Sequence, residues 1–236
     1  MPNCSIALSA NAGISLTFGQ VRIWVDAVHQ KKTGPFSTVT PALWEQMQHC
    51  AAFEAPDFIF FTHCHPDHYA KPLTEQAKKR WPQTQLILPE PEFDDQLLLR
   101  GGGIHFQVSS LSFHFFHLPH EGAQYTSVPH YGLLLSDGRF QILIPGDCEL
   151  ASPVLAQRLA DVSVDLAILD FPWITLRKGR DFIQQVIRPK HLLVHHLPFA
   201  QDDSIGYRRA AEKSAKLLPE VPDIRLLTEP LQIETL

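Results

Sequence analysis

The chain has 236 residues, 44% of them hydrophobic, enough to bury a sizeable core in one domain or two tightly fused halves. Its 20 basic against 25 acidic residues give a net charge of −5, the wrong sign for a protein that holds nucleic acid mainly by neutralising phosphates. No run approaches the roughly 18 apolar residues of a membrane span, and the opening MPNCSIALSANAGISLTF carries no basic leader. Cys4, Cys50, Cys64 and Cys148 form no C-x-x-C pair, so a cytoplasmic protein with unbridged cysteines is expected.

In chain order, SIALSA, GISLTFG and VRIWVDAV read as strands, the last alternating as a half-buried strand does. A loop through Gly34 and Pro35 leads to TPALWEQMQHCA, a helix that Thr40 can cap with Pro41 in its first turn. The strand PDFIFFTH follows, then a helix over 71 to 80, the strand TQLILP, a helix near 91 to 100 and a turn at Gly101, Gly102 and Gly103. IHFQVSSLSFHFFHLPH is strand-rich, and YGLLLSDGRFQILIPGD reads as a hairpin about Asp137 and Gly138. The last third alternates between helices near 153 to 161, from Gly179 to Ile187 and near 205 to 217, and the strands DLAILD, HLLVHH and a closing one. Strands in two batches, each followed by helices, fit an α+β protein of two sheets packed face to face with helices outside.

Histidine stands out, with 13 copies. His29, His49 and His105 fall singly and read as surface or satisfied core residues. FIFFTHCHPDHYA is different, because a strand that ends abruptly in polar residues delivers them to the edge of a sheet. His63, His65, Asp67 and His68 can converge there, offering the imidazole and carboxylate donors that zinc and similar divalent ions accept. Histidines two apart can grip one ion, Asp67 and His68 can turn toward a second, and Pro66 stiffens the turn between the pairs.

H-x-H-x-D-H after an apolar strand resembles the signature of the metallo-β-lactamase superfamily. The resemblance implies a four-layer αββα sandwich, here one domain over residues 1 to 236, with a one- or two-metal site at an edge of the paired sheets. It also implies three further ligands downstream. A histidine in FFHLPHEGA is one: His120, in the loop before the hairpin, is preferred, with His117 competing from a position that strand alternation puts on the opposite face or deeper in the strand. Asp147 in QILIPGDCEL is the second, a carboxylate able to bridge two ions. The third lies in RPKHLLVHHLPF, where His196 aligns better than its neighbour His195.

The implied set is His63, His65 and His120 on one ion, Asp67, His68 and His196 on the other, and Asp147 between them. Two such ions, zinc foremost with manganese or iron also suited to these donors, would make a bridging hydroxide at neutral pH and stabilise developing charge. Asp67 would also orient that hydroxide, and Asp26 is a candidate to fix an imidazole tautomer. Cys64 and Cys148 read as small packing residues, which departs from the drug-hydrolysing branch.

For the substrate, His130 could protonate a leaving group, Arg177, Lys178 and Arg180 could meet an anion, and Phe171 and Trp173 could form an apolar wall. Each has a plain structural alternative. The expectation is a hydrolase for a small anionic ester, with phosphodiesters ahead of carboxylic esters and lactones. Large nucleic acid is disfavoured because nothing long or basic enough protrudes to hold it. A di-iron redox protein is the reading from another class.

Overall fold

The computed structural model describes residues 4 to 236, whose backbone clusters into two compact units. One comprises the chain up to Leu98 with His196–Ile205 and Leu227–Leu236, and the other Leu99–His195 with Gly206–Leu226. Each unit holds one seven-stranded mixed sheet.

In the first unit β1 (Cys4–Leu8), β2 (Ile14–Phe18) and β3 (Val21–Val25) form an antiparallel meander. β4 (Phe58–Phe60), β5 (Gln85–Leu88) and the short β6 (Leu97–Leu98) then add in parallel. A parallel strand with neighbours on both sides is apolar along its length, which is why FIF shows no alternation. The crossovers carry α1 (Pro41–Gln48) and α2 (Lys71–Arg80). Thr40 caps α1 by accepting from the Leu43 amide at 3.2 Å, and Lys78, Lys79 and Arg80 sit where the dipole of α2 favours cations. Trp24, fully buried, packs edge-on against Trp44, Phe53 and Trp81. Burying each such ring contributes about 1.5–3 kcal/mol.

The helix expected near 91 to 100 does not form. Pro89 and Pro91 remove donors, and the Gln96 side chain takes over the local backbone. Its Oε1 accepts from the amides of Glu92 and Phe93 while its Nε2 donates to the Glu90 carbonyl, so the groups a helix would pair are already used.

In the second unit β7 (Gly103–Val108), β8 (Leu111–His117), β9 (Tyr131–Ser136) and β10 (Gln141–Ile144) are antiparallel neighbours. Asp137 closes the β9 to β10 turn by accepting from the amides of Arg139 and Phe140. After α3 (Pro153–Arg158), capped by Ser152, the strands β11 (Leu166–Asp170), β12 (His191–His195) and β13 (Asp223–Leu226) add in parallel. Between β11 and β12 the helix begins earlier than expected, with α4 (Pro172–Thr175) and α5 (Arg177–Phe182) running into a π turn over Ile183–Ile187. Leu176, extended, separates α4 from α5. α6 (Tyr207–Ala215) precedes β13, and the closing segment holds two strands, since β14 (Ile233–Thr235) returns to pair with β1. No helix among the described residues is long and apolar enough to cross a membrane.

Candidate metal centre

Strand β4 ends at Phe60, and the backbone then leaves the ladder under the control of Asp26, which follows β3. Asp26 is 1% exposed, and its Oδ1 accepts from the Thr62 amide at 2.8 Å. Its Oδ2 accepts from the Thr62 hydroxyl at 2.7 Å and from His68 Nδ1 at 3.0 Å. Because Thr62 has given its proton to Asp26, its oxygen accepts from His63 Nδ1 at 3.0 Å. One buried carboxylate thus sets the tautomer of two histidines, directly for His68 and through Thr62 for His63, leaving Nε2 of each as the lone-pair nitrogen.

The turn that follows is closed by the amides of His68 and Tyr69, both donating to the His65 carbonyl at 2.9 Å. It gathers the rings of His63 and His65, 4.5 Å apart, and of His63 and His68, 4.1 Å apart. His68 Nε2 lies 3.2 Å from His196 Nε2, and one donor atom from each of Asp67, His68 and His196 lies within 4.8 Å of the others. His196 is 5% exposed and left-handed at φ 59°, so side-chain alternation stops after His195 at the end of β12. Its amide donates to the Asn11 carbonyl at 2.9 Å, and Phe36 stands edge-on to its ring at 4.6 Å.

This donor set fits a divalent cation. His68 Nε2 is an acceptor because Nδ1 carries the proton, and a second imidazole nitrogen and a carboxylate close on the same point.

In the second unit His120 is 8% exposed and pairs as an isolated bridge with Cys148. The Glu121 amide donates to the Asp147 carbonyl and the Glu149 amide to the Pro119 carbonyl, both at 2.8 Å, so the two loops are zipped together. His120 Nδ1 donates to the Glu121 carbonyl at 2.8 Å, and its Nε2 lies 3.9 Å from Asp147 Oδ2. His130 is fully buried, donates through Nδ1 to the Leu118 carbonyl at 3.2 Å, and sets its ring 5.4 Å from that of His120. His117, by contrast, is exposed and packs against Tyr131.

Several of the other sequence candidates have partners of their own. Arg180 donates twice, at 2.8 Å, to the carbonyls of Ile174 and Thr175, closing the end of α4. Arg177 pairs with Asp181 one turn on, Lys178 stands 4.0 Å from Glu149, and Trp173 is fully buried against Phe182. Burial pushes the Cys64 thiol up, helped by Glu90 and Glu92, and burial with Asp170 does the same to Cys148. Neither sulfur belongs to the Asp67, His68 and His196 group. One residue that sequence reading passed over also matters here, Asn11, against Asp67 and His196, while His29, expected as a surface or satisfied core residue, is buried and bonds the Ala10 carbonyl at 3.1 Å. Neither belongs to a motif, and a single asparagine in SANAG looks like any turn residue.

The backbone decides what kind of molecule this is. A protein of Parabacteroides distasonis named as a metal-dependent hydrolase superposes with a TM-score of 0.67 over 98% of this chain and 94% of its own, at 19% identity. YhfI of Bacillus subtilis, a metallo-β-lactamase fold protein, superposes with a TM-score of 0.66 over all of both chains at 13% identity. This is the metallo-β-lactamase fold. A third protein with the fold is CmlA, a diiron β-hydroxylase from Streptomyces venezuelae, with a TM-score of 0.69 at 15% identity. CmlA is the longer molecule, for the match covers 99% of this chain and 54% of CmlA. No protein-family model and no curated protein sequence matches this chain. The α+β class expected from the sequence is therefore the class observed, and the metallo-β-lactamase fold is reached at sequence identities below 20%.

Proposed function

We propose that this protein is a metal-dependent hydrolase acting on a small anionic ester, with phosphodiesters favoured over carboxylic esters and lactones. The observation that carries the reading is the convergence of Asp67, His68 and His196, with His68 oriented by Asp26. The proposed ligands are His63, His65 and His120 for one ion and Asp67, His68 and His196 for the other, with Asp147 shared. Bound there, two divalent ions would lower the pKa of a coordinated water and offset charge on the attacked centre.

The chain's own groups do the remainder. Asp26 holds His68, and through Thr62 also His63, with Nε2 as the donor atom. Asp67 would orient the attacking oxygen. His130, held by the Leu118 carbonyl at Nδ1, would act as imidazolium, delivering the second proton from Nε2 to the leaving oxygen and returning to the neutral ring. The preference for phosphodiesters rests on a donor set of imidazoles and carboxylates without thiolate and on resemblance to the phosphodiesterase branch of the superfamily.

The test is turnover of bis(p-nitrophenyl) phosphate by protein loaded separately with Zn²⁺ and Mn²⁺. Turnover that disappears in Asp67→Ala and in Asp147→Ala, both still folded, supports the reading, and turnover retained in either variant sinks it. Inactivity in protein shown to hold metal transfers the assignment to lactones and carboxylic esters. The likeness to a diiron hydroxylase supports a second reading, an iron redox site on the same ligands. Oxidised iron would absorb in the visible, whereas zinc is silent.

A further inference from the structure

Asn11 sits in the turn between β1 and β2, fully buried and left-handed at φ 51°. Glycine is the ordinary occupant of such a position, and asparagine is the side chain that tolerates it best. Conformation alone does not account for the residue, because its polar amide is taken out of water. Its Oδ1 finds no partner among the described residues, and an unpaired buried acceptor is costly. The other half of the amide is used, since Nδ2 donates to the Asp67 carbonyl at 3.3 Å. The opposite assignment of the amide would set oxygen against oxygen, so the orientation follows from the partner. From the same residue, the main-chain carbonyl accepts from the His196 amide at 2.9 Å.

Asp67 and His196 are far apart in sequence, and each lies in an irregular segment with no ladder to hold it. Asn11 bonds the backbone of both. The turn it occupies is itself fixed, with the Ser9 amide donating to the Gly13 carbonyl at 2.8 Å and His29 donating through Nε2 to the Ala10 carbonyl at 3.1 Å.

We infer that Asn11 is a positioning residue whose amide and carbonyl together hold Asp67 and His196 at the separation one metal ion requires. The inference rests on the metal-binding reading above. It assigns a role to the SANAG turn, which contributes no ligand.

The experiment uses Asn11→Gly and Asn11→Asp in the full chain. Glycine accepts the left-handed backbone and retains the carbonyl to His196 but has no amide for Asp67. Aspartate retains shape and turn preference and presents only acceptors to the Asp67 carbonyl. Metal-free protein is titrated with Co²⁺, following its visible d–d absorption and the metal retained after dialysis, with thermal melting as the control for folding. The expected result is one class of Co²⁺ weakened about 10- to 100-fold with an altered spectrum, the other class unchanged, and cooperative melting preserved. Unchanged affinity in both variants, with wild type binding cobalt, overturns the role of Asn11. Equal weakening of every bound ion also overturns it, by reducing Asn11 to general support of the fold. A wild type that binds no Co²⁺ removes the metal-binding reading first, and the inference with it.

Discussion

Asp26 Oδ2 lies 3.0 Å from His68 Nδ1, both side chains almost wholly buried, and this contact ties the end of β3 to the loop after β4. The same carboxylate accepts from the Thr62 amide and hydroxyl, so three donors depend on it.

Asp26→Ala should therefore act on both stability and metal. Each buried donor left without an acceptor costs about 1–3 kcal/mol, and a fall of that order or more is expected in the urea unfolding free energy of metal-free protein. Asp26→Asn keeps the volume but sets an amide N–H against the His68 N–H or forces the ring into the other tautomer. Its Zn²⁺ affinity should fall about 10- to 100-fold with a smaller loss of stability. Wild-type affinity in Asp26→Asn, measured by competition with a chromogenic chelator, would remove Asp26 from any orienting role.

Gly13 makes a second prediction about the same region. A Cβ there would stand 2.3 Å from Ser9 Oγ, 2.7 Å from the Asp26 carbonyl oxygen and 2.8 Å from Ala27 Cα, and backbone cannot step aside cheaply. Gly13→Ala should destabilise the protein by about 1–3 kcal/mol and weaken metal binding as the turn bearing Asn11 shifts. An unchanged denaturation midpoint would show that the turn has slack.

The motif from His63 to His68 was legible because its chemistry is local: apolar strand, then donors. Asp26 was legible as a strand-end carboxylate, though not its simultaneous hold on Thr62 and His68. Asn11 was invisible, since its two partners come from distant segments and one is reached only through backbone. The helix drawn over 91 to 100 failed for the converse reason, a side chain competing for its own backbone, which apolar periodicity does not register. His195 and His196 could not be separated by alternation because the left-handed turn that separates them is a tertiary outcome.

His29 yields a pH prediction. Burial lowers its pKa from 6.5 to about 4, partly opposed by the Ala10 carbonyl it bonds. The folded state thus favours neutral imidazole, and the unfolded chain binds more protons between these two values. The stabilising effect is complete above pH 6.5 and is lost as pH falls toward 4, a loss on the order of 3 kcal/mol. The readout is the difference between wild type and His29→Gln in metal-free protein. Wild type should lose more stability between pH 7 and pH 4.5 than the variant, and parallel urea midpoints across that range would refute the assignment.

The choice between His117 and His120 can be decided by substitution, because the two differ in every respect that matters to a ligand. His117 is exposed at the end of β8, with its amide bonded to the Gly102 carbonyl at 3.3 Å and its ring against Tyr131. His120 is buried, has its Nδ1 proton fixed on the Glu121 carbonyl, and sets Nε2 3.9 Å from Asp147 Oδ2. A ring locked at one nitrogen with the other beside a carboxylate is ready for a cation, whereas a solvated ring must first be ordered, at a cost in entropy. His117→Ala should leave stability within about 0.5 kcal/mol of wild type and metal content unchanged. His120→Ala should lower the affinity for one of the bound ions by about 100-fold or more, with turnover falling in step. Metal content by mass spectrometry after dialysis separates the two variants, and loss of an ion in His117→Ala with retention in His120→Ala would reverse the assignment.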